Sequence, residues 1–286
     1  MRPAILLVSI VLVLAVVLVL IAGETLSRPA HRVVGQPPAE LGVVPIRLPV
    51  TRSDSVAGWF ARGTGRGAVL LLHGVRSDRT QMLGRALFLR EAGYSVLLID
   101  LPAHGESTGD RIGFGWREAA GVTAALRFLR AEMPGERIGA IGVSLGAAAL
   151  VFARPSPALD AVVLESLYPT ITEAVSNRLE QRLGSVGPIL APLLLWQLPL
   201  RLGVSADDLR PVAVVPELAS ALLVAAGTHD RHTTWPETER IFMAGREPKA
   251  LWAVQDATHV DLHAYDAAAY RARILVFFAR HLRQPG

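Results

Sequence analysis

The sequence predicts an α/β fold: a mostly parallel central sheet with helices on both faces. Three observations carry this. Short apolar runs recur along the chain, and most are followed by a stretch with helical spacing. The runs are continuous rather than alternating, which marks strands buried on both faces, as parallel sheets require. The length, 286 residues with 51% hydrophobic content, suffices for one large core. The chain has no cysteine, which excludes disulfides, thiolate metal sites and a cysteine nucleophile. The formal net charge of +4 is spread along the chain, and Lys249 is the single lysine. No basic cluster with interleaved aromatics occurs, so nucleic acid is not an expected partner.

The N-terminal segment is read separately. Ala4 to Ala22 is apolar apart from Ser9, with Arg2 ahead of it. At about 1.5 Å per helical residue it reaches roughly 28 Å, close to the hydrocarbon thickness of a bilayer. A secretory signal has a shorter apolar region and a small-x-small cleavage site, and Ile21-Ala22-Gly23-Glu24 makes a poor one. The expectation is therefore a single-span N-terminal transmembrane anchor over 1–25, with a cleaved signal as the alternative. Arg2 and the free amine nearly balance Arg28 and Arg32. The short N-terminal flank favours a domain outside the cytoplasm. Residues 26–42, rich in Pro and Gly, read as a linker.

The domain is expected over 43–286. Val43–Val50 and Val56–Arg62 read as paired strands joined by Thr51-Arg52-Ser53-Asp54. Ala68–Leu72 is a buried strand, Gln81–Ala92 a helix, and Ser95–Ile99 another strand. Trp116–Glu132 is a helix with Val122, Leu126 and Leu129 on one face. Arg137–Ile141, Ala161–Leu164, Ala221–Ala225 and Ala250–Val254 complete the strands. Tyr270, Ile274 and Phe277 form the stripe of a closing helix. One segment breaks the rhythm: about 167–212 lacks a clear strand and contains the proline-broken apolar run Pro188–Trp196. It reads as an inserted helical cap packed on the domain. Its apolar side facing an acyl substrate, or dipping into a membrane surface, is the sharper alternative. No internal repeat occurs.

The chemistry points to Gly142-Val143-Ser144-Leu145-Gly146, between a strand and the small-residue helix that opens at Ala147. A serine at that junction sits on a strained turn that lifts its Oγ above the sheet. The flanking glycines avoid Cβ collisions with the neighbouring strand and helix. Leu145 N–H, at the start of the helix, is a candidate donor to a tetrahedral oxyanion. Four further pieces stand in order: Leu72-His73-Gly74, Asp100 to Ser107 (DLPAHGES), Gly227-Thr228-His229-Asp230 and Ala257-Thr258-His259.

With these motifs in this order, the stretch from about Val69 onward resembles the serine-hydrolase branch of the α/β-hydrolase superfamily. It is similar in particular to the superfamily's membrane-anchored group of small single-domain hydrolases. The order Ser, Asp, His is the superfamily's. The resemblance implies Ser144 as nucleophile, His259 as its base and Asp230 as the carboxylate that orients the imidazole. It also implies Val75 N–H as second oxyanion donor, with His73 and Gly74 supporting that loop. Gly74 is followed by Val75-Arg76 rather than by a further glycine, a departure from the Gly-Gly loops of some lipases and esterases. His229, His232 and His263 compete with His259, and Glu165-Ser166 reads as a solvated rim. No cofactor or metal is expected, since neither metal-ligand spacing nor a Walker loop occurs. The expected function is cleavage of a carboxylic ester or thioester through an acyl-enzyme, with a small-molecule or lipid-like acyl substrate. A peptidase or amidase on the same residues, and a non-catalytic tethered binding module, are the alternatives.

Overall fold

The computed structural model describes residues 2–282. Met1, in the expected anchor, and residues 283–286, in the expected domain, lie outside the described residues. In chain order the first half forms α1 (Arg2–Ser27), β1 (Ala30–His31), β2 (Val44–Pro49), β3 (Ser55–Ala61), β4 (Ala68–Leu72), α2 (Leu83–Glu91), β5 (Ser95–Ile99), β6 (His104–Gly105), α3 (Ala119–Glu132), β7 (Ile138–Val143), α4 (Leu145–Phe152) and β8 (Ala161–Glu165). The second half adds α5 (Ile171–Leu183), α6 (Gly187–Leu195), α7 (Leu198–Leu202), α8 (Pro211–Val214), β9 (Ala221–Gly227), α9 (Trp235–Ala244), β10 (Lys249–Val254), α10 (Leu262–Tyr265) and α11 (Ala267–His281).

Eight strands form one sheet in the order β10-β9-β8-β7-β4-β5-β3-β2. The six from β10 to β5 run parallel, and β3 and β2 close one edge antiparallel. The continuous apolar strands divide their side chains by the period of two. Leu70, Leu72, Leu97 and Ile99 pack into the core on one face. Val69, Leu71, Val96 and Leu98 pack into the core on the other, with Tyr270, Ile274 and Phe278 of α11. After β5 the chain crosses back over β4 to lay down β7. A crevice therefore opens beyond the C-terminal ends of β4 and β7, the topological switch point where open α/β sheets carry their sites.

Among the element boundaries that differ from expectation, two helix starts do so for clear local reasons. The helix anticipated from Gln81 begins with a 3₁₀ turn, Arg79–Met82, because Asp78 caps it by accepting from Thr80 N–H at 2.9 Å. The helix anticipated from Trp116 begins at Ala119, because the Glu118 carboxylate takes the amides of Gly113 and Gly115, both at 2.7 Å. Neither α9, which is entered by a capping box of Thr234 and Glu237 with Pro236 in its first turn, nor the short α10 was anticipated.

The expected transmembrane anchor, and with it the membrane partner and the extracytoplasmic placement, is corrected by the structure. Among the described residues no helix is long and apolar enough to cross a membrane. The physical reason lies in the last turns of α1, which belong to the domain. Gln197 donates to the Val19 carbonyl at 3.0 Å, and Arg201 donates to the Leu20 carbonyl at 2.7 Å. Glu24 pairs with Arg111 at 2.9 Å and also with Arg201. Gly23 lies so close to Gln197 that a Cβ there would meet its side-chain oxygen at 2.4 Å. The anticipated linker is also engaged with the domain. β1 pairs in parallel with β6, and Val34 N–H donates to Glu106 at 3.2 Å.

Candidate active site

Ser144 stands between β7 and α4 with φ +49° and ψ −104°, a backbone strain that a non-glycine residue carries only where its surroundings impose it. Here the surroundings are the two glycines. A Cβ on Gly142 would sit 2.6 Å from the Ala147 Cα, and one on Gly146 2.5 Å from the Leu72 carbonyl oxygen. Without side chains, α4 presses against both β7 and the end of β4. Ser144 N–H donates to the Glu165 carbonyl at 2.8 Å, which fixes the turn to β8.

The loop after β4 is set by a buried ring. Leu101 N–H donates to His73 Nε2 at 3.0 Å, so that nitrogen is the acceptor and Nδ1 carries the proton. Nδ1 then donates to the Gly74 carbonyl at 2.7 Å. Burial, with the neighbouring His104 acting in the same sense, drops the His73 pKa to about 3, so the ring is neutral. Ser77 N–H also donates to the Gly74 carbonyl, at 3.3 Å. In a trans peptide the C=O and the following N–H point in opposite directions. Tying down Gly74 O therefore aims Val75 N–H the other way. Gln81 holds Gly74 N–H at 2.8 Å from the flank.

On the loop after β9, Asp230 is buried. Its Oδ2 lies 2.7 Å from His259 Nδ1. Its Oδ1 accepts from the amides of His232 at 2.8 Å and Thr233 at 2.9 Å. Burial pushes the Asp230 pKa up, but the His259 hydrogen bond and charge, with those two amides, outweigh it and hold the carboxyl below its ordinary value. His259 follows β10 on a loop tied back to β9: His229 N–H donates to the Ala257 carbonyl at 2.9 Å.

Ser144, Leu145 and Val75 border one cavity of about 450 Å³, together with Phe114, Tyr168 and Ile171. α5 contributes much of its apolar wall and α6 adds Leu194, while Ala22, Thr25 and Leu26 bring the end of α1 into it. The competing histidines lie elsewhere or play another part. His229 is exposed beside Asp256. His263 stacks on Phe88, 5.7 Å between ring centres, and meets the edge of Tyr270. His232 leans on His259 with ring centres 4.9 Å apart, and burial lowers its pKa to about 4. Among the described residues no group of three or more His, Asp or Glu stands close enough to hold a metal ion.

Glu165 corrects a further expectation. It is not on a solvated rim but buried, paired at 2.7 Å with Arg85. Arg85 in turn holds Asp261, two residues beyond His259, at 2.8 Å. Nothing in the sequence points to this network, because its members are separated by 80 and 176 positions.

With this geometry in hand, comparison with known proteins decides the family. Residues 69–279 match the Alpha/beta hydrolase family. The chain belongs to that family. A Bacillus subtilis (strain 168) protein, YqkD, named only as uncharacterized, is 27% identical over 215 residues, covering 73% of this chain and 70% of its own. An AB hydrolase superfamily protein of Gibberella zeae is 31% identical over 140 residues, 48% of each chain. Among solved structures the chain is similar to the Pyrococcus furiosus esterase Pf2001. That likeness has a TM-score of 0.74 at 21% identity and covers 90% of this chain and 99% of the esterase. It is also similar to a thioesterase domain from the curacin biosynthetic pathway, with a TM-score of 0.58 at 16% identity, covering 82% of this chain and 99% of that domain. At these identities the structural likeness establishes the fold.

Proposed function

We propose that this alpha/beta hydrolase is a serine hydrolase that cleaves a carboxylic ester or thioester through an acyl-enzyme on Ser144. The observation that carries the reading is the 2.7 Å contact between His259 Nδ1 and Asp230 Oδ2. It leaves Nε2 as the nitrogen available to take a proton. The strained, glycine-flanked Ser144 at the switch-point crevice is the hydroxyl that gives it up.

In the proposed reaction Ser144 Oγ attacks the substrate carbonyl as its proton passes to His259 Nε2. Asp230 holds the imidazole in the Nδ1–H tautomer and stabilises the cation that forms. The oxyanion accepts from Leu145 N–H, at the head of α4, and from Val75 N–H, aimed by His73 through the Gly74 carbonyl. Collapse breaks the bond to the leaving alcohol or thiol, which takes the proton from Nε2. Water then attacks the acyl-enzyme, giving its proton to Nε2, and Ser144 leaves with that proton. The predominantly apolar cavity, walled in part by the α5–α6 cap, supports an acyl group as the part bound beside Ser144.

A fluorophosphonate probe tests this directly. It should label the wild-type protein and fail to label Ser144→Ala. The same variant should lose hydrolysis across p-nitrophenyl esters from acetate to palmitate. Equal labelling of both proteins refutes the reading.

A further inference from the structure

The cavity beside Ser144 is apolar except for a few positions, and the charged ones are not equivalent. Arg76 borders it, but its guanidinium donates to the Thr25 and Leu26 carbonyls at the C-terminus of α1. Arg178 and Arg182 line it from α5, four residues apart and so on one stripe of that helix. Among the described residues neither forms an ion pair. Arg178 donates from Nη1 to the Ala174 carbonyl of its own helix at 3.0 Å. The acids whose charge acts on Arg178 are already engaged: Asp230 by His259 and two amides, Glu237 by Asn177 and Thr234 N–H. Burial lowers the Arg178 pKa, against the attraction of Asp230 and with the repulsion of Arg182. Arg178 is half-buried on this largely apolar wall and Arg182 is exposed. A guanidinium held partly out of water without a counter-ion is costly, and an anion that joined the two would relieve that cost.

The stripe is also held in place. Asn177 and Gln181, one position before each arginine, donate to the loop after Asp230. Asn177 reaches the His232 carbonyl at 3.2 Å, and Gln181 the Arg231 carbonyl at 2.8 Å. Each arginine is turned about 100° from its clamped neighbour, so the clamp sets the cationic stripe relative to the site. Guanidinium groups bind carboxylate and phosphate in the same forked geometry.

We propose that the substrate is an acyl ester or thioester bearing an anionic group, a carboxylate or a phosphate, which Arg178 and Arg182 bind while the scissile carbonyl lies at Ser144. This rests on the serine-hydrolase reading and narrows it to an anionic substrate class.

The test compares mono-p-nitrophenyl adipate, which carries a free carboxylate, with its neutral methyl ester. Wild-type protein should favour the anionic ester in kcat/KM by about tenfold or more, as charge-assisted hydrogen bonds imply. The preference should shrink with added salt. Arg178→Gln and Arg182→Gln should bring the ratio of the two substrates towards one. Arg178→Lys should keep part of it, and Arg182→Glu should reverse it. Competition against the neutral ester by adipate and by butyl phosphate identifies which anion is preferred. Equal kcat/KM on the two esters in wild type, a preference that survives in both Gln variants, or competition by neither anion overturns the proposal. If the neutral ester is cleaved in a Ser144-dependent way without anionic preference, only this inference fails. If neither ester is cleaved, the serine-hydrolase reading fails and this inference with it.

Discussion

Arg85 and Glu165 form an ion pair at 2.7 Å with about 1% of either side chain exposed, and the same guanidinium reaches Asp261 at 2.8 Å. The pair links two parts of the candidate site that are remote in sequence. Glu165 also accepts the Ser144 amide through its carbonyl, and Asp261 caps α10 immediately after His259. Arg85 therefore braces the turn that carries the serine against the loop that carries the histidine.

Removing that brace leaves a buried carboxylate without its cation. Arg85→Met should cost about 3–5 kcal/mol, the usual penalty for breaking one side of a buried pair. Urea denaturation checks the magnitude. A loss under about 1 kcal/mol contradicts the assignment. As a positioning residue, Arg85 should also change kcat more than KM in Arg85→Lys, which retains charge but loses the fork.

The role proposed for Asp230 predicts that Asp230→Asn folds with nearly normal stability but loses about 10⁴-fold in kcat. The amide would stabilise the wrong imidazole tautomer while filling the same space. Steady-state kinetics on a p-nitrophenyl ester measures this, and a loss under tenfold would count against His259 as the base.

Gly146→Ala should damage both stability and turnover. Its Cβ would stand 2.5 Å from the Leu72 carbonyl and 2.7 Å from the His73 carbonyl, both backbone atoms that cannot step aside. The helix must retreat from β4, at about 1–3 kcal/mol for such overpacking. Thermal unfolding and probe labelling of the variant report the two effects separately.

The pH dependence of stability has two opposed limbs. Burial lowers the His73 pKa to about 3 and the His104 pKa to about 4. Depressed in the fold, these rings contribute stability that is present above their unfolded value near 6.5 and lost as pH falls below it. Glu118 works in reverse. Burial raises its pKa to about 7, against the hydrogen bonds from Gly113 and Gly115. Its contribution is present below the ordinary value of 4.5 and lost as pH rises through about 7. Glu118→Gln should therefore be penalised relative to wild type more at pH 5 than at pH 8, while the acid limb from the histidines remains. Melting temperatures across this range check it. A wild-type minus variant difference that is flat with pH would contradict the Glu118 limb.

Much of the fold was legible in the chain because its signals are local. Ala68–Leu72 and Ser95–Ile99 appear with the anticipated bounds, since a continuous apolar run between turn residues has few other uses in an α/β chain. The turn at Ser144 was legible because glycines mark where backbones approach. α9 was missed although its capping box and Pro236 were present, and the buried role of Glu165 was missed because its partners lie far off in sequence.

The sequence by itself determined the parallel sheet, the order of the candidate serine, acid and histidine, and the glycine-flanked turn, all carried by patterns within a few residues. Only the tertiary structure decided where α1 goes, which histidine meets Asp230, and that two arginines of α5 line the cavity beside Ser144. Those outcomes depend on distances between residues tens to hundreds of positions apart. Burial, not spacing, sets which of their charges find partners.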